Sequence, residues 1–392
     1  MVSGDDTIIS FTIPLLSILK TSLLTIKEDA LQAEHEDIEQ GTIQGDYILP
    51  SLMSSQCGLV VSEEEEIMFP KNSTIASDFF LIGFQNIGNY KTLLFIFIMS
   101  IYIMTVSGNL LIVTMVSTSH LLQSPMYFFL SHLSLCDFLF SSNIIPNMMQ
   151  ITLEGGSTIS FSSCLVQFYI FASCTATECY LLTVMSFDRF VAICIPLRYP
   201  SVMNRNLCLL FAVWSWLLGF LFVLITISLL CQLDFCGSMT INHFYCDFLP
   251  MLELSCSDVS PIIIETVFFA NVIVLLPFLT VLGSYFSIFW TIIGIHSSTG
   301  RKKTFSTCSS HLLVVVTYYG SLLSIYFFPS GGQSDSINKI LSLLYTLGTP
   351  LLNPMIYSFR NQEIQNQLSR ILDFIKNARP FPGLRSSKGL GK

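Results

Sequence analysis

The chain has 392 residues, 52% of them hydrophobic and only 11% charged, against about 25% charged in an ordinary soluble domain. With a mean hydropathy of +0.66, this excludes a soluble globular domain and points to a chain that crosses a bilayer many times. The formal net charge of −8 is a local effect: residues 1–90 hold fourteen acids against Lys20, Lys27 and Lys71, whereas residues 91–392 hold fifteen bases and twelve acids. No basic face for nucleic acid is expected.

Residues 1–67 form an acidic leader. The apolar run Ile8–Ile26 is broken by Lys20 and preceded by Asp5 and Asp6 instead of a basic region, which makes a poor signal peptide and a poor extra span. Glu28–Glu39 and Glu63–Glu66 read as solvated, disordered stretches, and Met68 offers a later start. Residues 68–91 then lead into the first span and carry the chain's only N-glycosylation sequon, Asn72-Ser73-Thr74.

A membrane span needs about 20 mostly apolar residues. Seven stretches qualify, at 92–116, 126–150, 164–193, 207–230, 261–293, 304–328 and 338–359, and no internal repeat of an inverted transporter is visible. Residues 92–360 therefore read as one membrane domain and 361–392 as a helix and tail. Lys and Arg set the orientation: Arg189, Arg198 and Arg205 follow the third span, Arg301, Lys302 and Lys303 the fifth, and seven bases fill the tail, while the 231–260 loop has none. The tail is expected in the cytoplasm and the N-terminus, with Asn72, outside. Pro277 in the fifth span and Pro350 and Pro354 in the seventh each remove a backbone hydrogen bond and predict kinks.

The charged residues inside this apolar domain carry the function. Asp188-Arg189 ends the third span, where an adjacent acid and base suit a switch more than a catalyst. Asn109, Asp137, Glu178 and Asn353 come from four spans and should face inward and share partners. Phe168, Phe171, Ala172, Thr175 and Cys179 recur at helical spacing on one face of the third span, as do Tyr319, Leu322, Leu323 and Tyr326 on the sixth. The fifth span offers Phe269, Ala270 and Ile273, and the seventh Leu343 and Thr346. Such stripes serve either packing or a ligand cavity. Cys164, Cys236, Cys246 and Cys256 lie in polar segments on one side, enough for two disulfides; a metal at His243 and Cys246 is the weaker reading.

These motifs, taken in order, resemble the vertebrate odorant receptors of the rhodopsin-like G-protein-coupled class, over about residues 68–375. The resemblance is carried by Gly108-Asn109, by Pro125-Met126-Tyr127-Phe128-Phe129-Leu130-Ser131 running to Asp137, and by Met185-Ser186-Phe187-Asp188-Arg189-Phe190. Ser284-Tyr285, Lys303-Thr304-Phe305-Ser306-Thr307-Cys308 and Pro350-Leu351-Leu352-Asn353-Pro354-Met355-Ile356-Tyr357 complete it. Phe187 and Phe190 stand where the family more often has Tyr, and the long acidic leader is a departure. The His243-Phe244-Tyr245-Cys246-Asp247 run in the long loop looks like the tetrapod-type subgroup.

The resemblance implies an all-α membrane protein, a seven-transmembrane helix bundle with a short cytoplasmic amphipathic helix after span seven, in the plasma membrane. It implies Cys164–Cys246 and Cys236–Cys256 disulfides, and a cavity for a small, mostly neutral hydrophobic odorant lined by the stripe residues. A switch of Asp188, Arg189, Tyr285, Asn353, Pro354 and Tyr357 would couple to a heterotrimeric G protein of the olfactory stimulatory type, raising cyclic AMP. No organic cofactor is implied. Asp137 and Glu178 would hold either a structural sodium ion or a protonated network without one. Span seven lacks a Lys between Ser342 and Asn353 for a retinal Schiff base, and Phe171 stands where amine receptors of the class keep a carboxylate. The rival readings are a chemosensor outside the nose, a transporter or channel, and a membrane enzyme, the last disfavoured because no HExxH or GxSxG motif appears.

Overall fold

The computed structural model describes residues 78–83, 88–236, 238–327 and 334–377; the leader 1–67, the sequon at Asn72 and the end of the tail lie outside them. All seven apolar stretches are helical. They are α1 (Lys91–Thr118), α2 (Pro125–Glu154), α3 (Phe161–Cys194), α4 (Arg205–Leu230), α5 (Ser260–Ile293) and α6 (Ser298–Phe327), with α7 built from Ser334–Leu343, Leu344–Gly348 and Thr349–Arg360. Among the described residues, six are long and apolar enough to cross a membrane; α6 is the exception. It opens on Arg301-Lys302-Lys303, a triplet expected in a loop but in fact helical. Ser297 starts this extension: its Oγ accepts the Gly300 N–H at 3.2 Å and its carbonyl accepts the Arg301 N–H at 2.9 Å.

Lipid offers no water to polar groups, so each hydroxyl must find a partner inside the protein. In α1, Ser100, Ser107, Thr114 and Ser117 do so by donating to the carbonyl four residues back, at 2.6–2.7 Å. Helices in lipid then associate by close packing of small residues more than by burial from water. α3 is the hub, touching α2, α4, α5 and α6. Its approach to α4 is the tightest: a Cβ at Gly219 would lie 2.4 Å from Thr177 Oγ1 and 3.0 Å from the Ser173 carbonyl oxygen.

The predicted kinks take a specific form. Asn271–Leu275 in α5 and Leu344–Gly348 in α7 are π-helical turns, placed directly before Leu276-Pro277 and Thr349-Pro350. A proline ring collides with the carbonyl four residues back and offers it no N–H, and widening the turn relieves both faults. Pro354 sits inside the last segment of α7 and Pro146 inside α2.

The all-α prediction needs one addition. Three short strands, β1 (Phe79–Leu81), β2 (Ser157–Ile159) and β3 (Thr240–Ile241), make a sheet in the order β2-β1-β3. β1 is antiparallel to β2, pairing Phe80 with Thr158, and parallel to β3, pairing Phe80 with Thr240. The pleat buries Phe79 and Leu81 and exposes Phe80. Phe79 packs 5.9 Å from Phe161 and 5.6 Å from Phe235 between ring centroids, a burial worth about 1.5–3 kcal/mol. Both expected disulfides are present, Cys164–Cys246 tying the loop to α3 and Cys236–Cys256 closing the loop on itself. Sheet, loop and disulfides form a lid over one end of the bundle. At the opposite end, α8 (Gln362–Asn377) is the expected amphipathic helix. Tyr127 of α2 secures its start, donating from its hydroxyl to Asn361 Oδ1 at 2.9 Å and Glu363 Oε2 at 2.5 Å.

Candidate functional site

At the end away from the lid, α3 delivers Asp188 and Arg189 into a buried setting. Arg189 Nε donates to Asp188 Oδ2 at 2.9 Å, and an Arg189 terminal nitrogen donates to the same oxygen. Tyr199, from the one-turn helix Tyr199–Val202 just beyond α3, donates to Asp188 Oδ1 at 2.8 Å. Nearby, the Tyr285 hydroxyl of α5 meets His311 Nδ1 of α6 at 2.6 Å and donates to the Cys308 carbonyl at 3.4 Å. Tyr357 of α7 is fully buried, and its hydroxyl has no partner among the described residues. Of the predicted switch residues, Asp188, Arg189, Tyr285 and Tyr357 lie at this end of the bundle, Tyr285 half-buried and the others buried, while Asn353 and Pro354 lie one layer further in. A buried ion pair adds little net stability, yet separating its members costs about 3–5 kcal/mol, which suits a latch.

One layer further in, Asn109 Nδ2 of α1 donates to the Pro350 carbonyl of α7 at 3.0 Å, an oxygen on the segment that opens after the π-turn. Asn353 Nδ2 donates to both oxygens of Asp137, at 3.2 and 3.0 Å. Pro354 lies close against α1: a Cβ at Gly108 would stand 3.3 Å from two of its ring atoms. Glu178 interacts electrostatically with Asp137 and has one oxygen unbonded. The oxygens of Ser141, Asn109 and Asn353 are also buried without a partner among the described residues.

Between this layer and the lid, the expected cavity residues straddle two apolar clusters. Ile273, Tyr319, Leu322 and Leu343 belong to the bundle core, Phe168 and Ala172 to the cluster under the lid, and Phe171 to both. Phe168 stacks on Phe248 of the loop at 6.1 Å, and Phe171 packs 5.4 Å from Phe140 and 5.1 Å from Tyr245. Tyr319 rests 4.9 Å from Phe278. Phe269 instead lies 4.9 Å from Phe222, at the α4–α5 seam, and Thr346 turns its hydroxyl back to the Ser342 carbonyl at 2.8 Å. The Tyr326 side chain and Asn72 lie outside the described part of the molecule.

Three groups that sequence reasoning missed hold this region together. Tyr345 meets Thr175, hydroxyl to hydroxyl, at 3.0 Å, and Tyr318 donates to the Thr175 carbonyl at 2.7 Å. Lys339 of α7, which had no place in the topology argument, is buried at the lid and donates to the Gly83 carbonyl at 3.0 Å and Asn242 Oδ1 at 2.5 Å. One cation therefore joins the N-terminal segment, the long loop and α7. Beside it, burial, reinforced by the Lys339 charge, pushes the His243 imidazole down to about 3 and keeps it neutral. Lys339→Met keeps the apolar stem and loses both bonds, so hydrogen exchange of the 79–83 and 240–243 amides in the purified protein should accelerate. The loss of two charge-assisted bonds is worth on the order of 3 kcal/mol; exchange identical to wild type would rule out the clamp.

Comparison with known proteins agrees with this arrangement. The sequence profile of the olfactory receptor family matches residues 98–374. Olfactory receptor 11L1 of Homo sapiens is 44% identical over 306 residues, covering 78% of this chain and 95% of that protein. Olfactory receptor 5P68 of Mus musculus is 43% identical over 305 residues, covering 77% and 96%. Among solved structures, squid rhodopsin superposes with a TM-score of 0.60 at 17% identity, covering 75% of this chain and 88% of that one, a likeness of fold. A seven-helix membrane bundle, a disulfide-tied lid and a buried Asp188–Arg189 ion pair thus sit on a sequence that belongs to the olfactory receptor family.

Proposed function

We propose that the chain is an odorant receptor of the plasma membrane that binds a small, mostly neutral hydrophobic molecule between its core and lid clusters. The supporting observation is the position of Phe171, shared by both clusters and one helical turn from the Thr175–Tyr345 hydroxyl pair. A cavity there is apolar with a few hydroxyls, matched to a ligand with one polar group. The lid faces outward and the tail lies in the cytoplasm, in keeping with the Lys and Arg distribution.

Signalling is a population shift. The odorant binds the active arrangement more tightly than the closed one, and only that difference moves the equilibrium. Movement of α6 frees Arg189 from Asp188 and exposes Tyr285 and Tyr357 to the α-subunit of a stimulatory G protein, which raises cyclic AMP. Asp137, Glu178 and the unbonded oxygens of Ser141 and Asn353 are all oxygen donors, the chemistry a hard cation takes. Asp137 and Glu178 would hold a sodium ion, which would supply positive charge to offset the two buried acids. The cavity assignment is tested with an odorant panel and a cyclic AMP readout in transfected cells. Phe171→Ala and Thr175→Val should shift potency by at least about tenfold and reorder the panel; an unchanged ranking in both would reject it.

A further inference from the structure

The helices α2 and α3 leave a cleft of about 390 Å³ near the lid end, lined by Asn143, Asn147, Ser162, Ser163 and Gln167 among others, with no acid or base. It opens away from the bundle axis, since Pro146 and Val166 on its rim are exposed, Val166 to 56%. Asn147 stands seven residues before the end of α2, and Gln167 six residues after the start of α3. At 1.5 Å per residue both lie about 10 Å from the helix ends. α2, at 30 residues, is about 45 Å long and overshoots a hydrocarbon core of about 30 Å by several ångströms at each end. The cleft therefore sits where acyl chains give way to headgroups.

Its walls are fixed. Asn143 Nδ2 donates to the Gln167 carbonyl at 2.8 Å and Gln167 Nε2 to the Asn143 carbonyl at 3.2 Å, while Gln167 Oε1 accepts the Cys246 N–H at 2.9 Å. The Asn147 carboxamide, by contrast, makes no hydrogen bond among the described residues. A polar group facing lipid calls for a partner.

We propose that this cleft binds the hydroxyl end of a sterol lying along the α2–α3 seam. A phosphate or carboxylate headgroup would find no counter-charge among these liners, whereas a hydroxyl both donates and accepts and so matches carboxamides and serines alike. The volume takes the polar end and the adjoining rings, and the rest of the apolar body lies against Val166. Because Gln167 also accepts the Cys246 N–H, the occupant touches a side chain that supports the Cys164–Cys246 tie between lid and α3. None of this depends on the odorant reading.

The test uses the full chain in cell membranes with a photoreactive diazirine sterol, and maps the labelled peptides by mass spectrometry. Label is expected on the 143–147 and 162–167 segments and should be displaced by excess unlabelled sterol. Val166→Trp, which plugs the cleft from its exposed rim, and Asn147→Leu, which removes the free carboxamide, are compared at matched surface level. Both should bring labelling of these segments down to the level that remains in the presence of excess unlabelled sterol. Labelling that persists in both variants, or that a diazirine phospholipid reproduces and sterol fails to displace, would overturn the proposal.

Discussion

Placing valine at Gly219 should leave almost no protein at the cell surface. The Cβ alone would enter the space of Thr177 Oγ1, 2.4 Å away, and press on two backbone atoms of α3, the Ser173 oxygen and the Thr177 nitrogen, each 3.0 Å away. A side chain end can swing aside, but the backbone of the central helix cannot move without shifting α2, α5 and α6 as well. Overpacking of this kind costs about 1–3 kcal/mol for a tolerated methylene, and valine adds three carbons to a fold whose total stability is about 5–15 kcal/mol. Surface immunolabelling and thermal unfolding of detergent-solubilised protein measure the effect. Gly219→Ala should be milder, and pairing it with Thr177→Ala should recover part of the loss, because the nearest clash disappears while the backbone contacts stay. Normal surface levels for Gly219→Val would show that α3 and α4 do not cross as closely as these distances require.

Arg189→Ala should abolish odorant-evoked cyclic AMP at every concentration while leaving most of the protein at the surface. The charge stranded by the substitution is Asp188, which keeps the Tyr199 hydroxyl at 2.8 Å. Folding is therefore spared much of the penalty of about 3–5 kcal/mol for a broken buried pair. Signalling should not be spared, because in the proposed mechanism the guanidinium is the group that the opened cleft would present to the G protein. The opposite sign is expected of Tyr199→Phe, which removes one bond to Asp188, leaves Arg189 untouched and loosens the latch. Ligand-independent cyclic AMP should rise. Surface-normalised assays of both variants decide the matter: a fully responsive Arg189→Ala would remove the latch from the mechanism.

Much of this was legible in the sequence, and the parts that were not share a cause. Seven apolar runs gave seven helices because a span's length and hydropathy are properties of contiguous residues. Asp188-Arg189 was visible for the same reason, an adjacent pair in a setting where charge is costly. β1 was not, since Phe79–Leu81 is too short for its alternation to stand out from an apolar approach to the membrane, and its partners are remote in sequence. Pro277 and Pro350 marked where the helices would yield, but no residue encodes the extra one that a π-turn accommodates. That residue rotates the downstream part of the helix by roughly 100° relative to an unbroken one, so stripes counted at regular spacing along α5 and α7 misplace their members. Phe269 lies on Phe222 instead of the cavity side, and Tyr345, absent from the stripe, meets Thr175. Lys339 was missed for a different reason: lysines near a membrane were weighed as topology markers, and this one is buried by two acceptors from distant segments.

The lid also sets a timetable for biogenesis. β1 leaves the ribosome before any of the seven helices, yet its parallel neighbour β3 emerges only after four of them, and the lysine that grips Gly83 comes 256 positions later. Until β2 and β3 arrive, the central strand of the sheet has unpaired backbone groups on both sides. Completion of the sheet therefore marks the synthesis of the first four helices, and the Lys339 clamp marks arrival of the seventh. A chain stalled before its last span would carry a finished sheet with Gly83 and Asn242 left without their lysine.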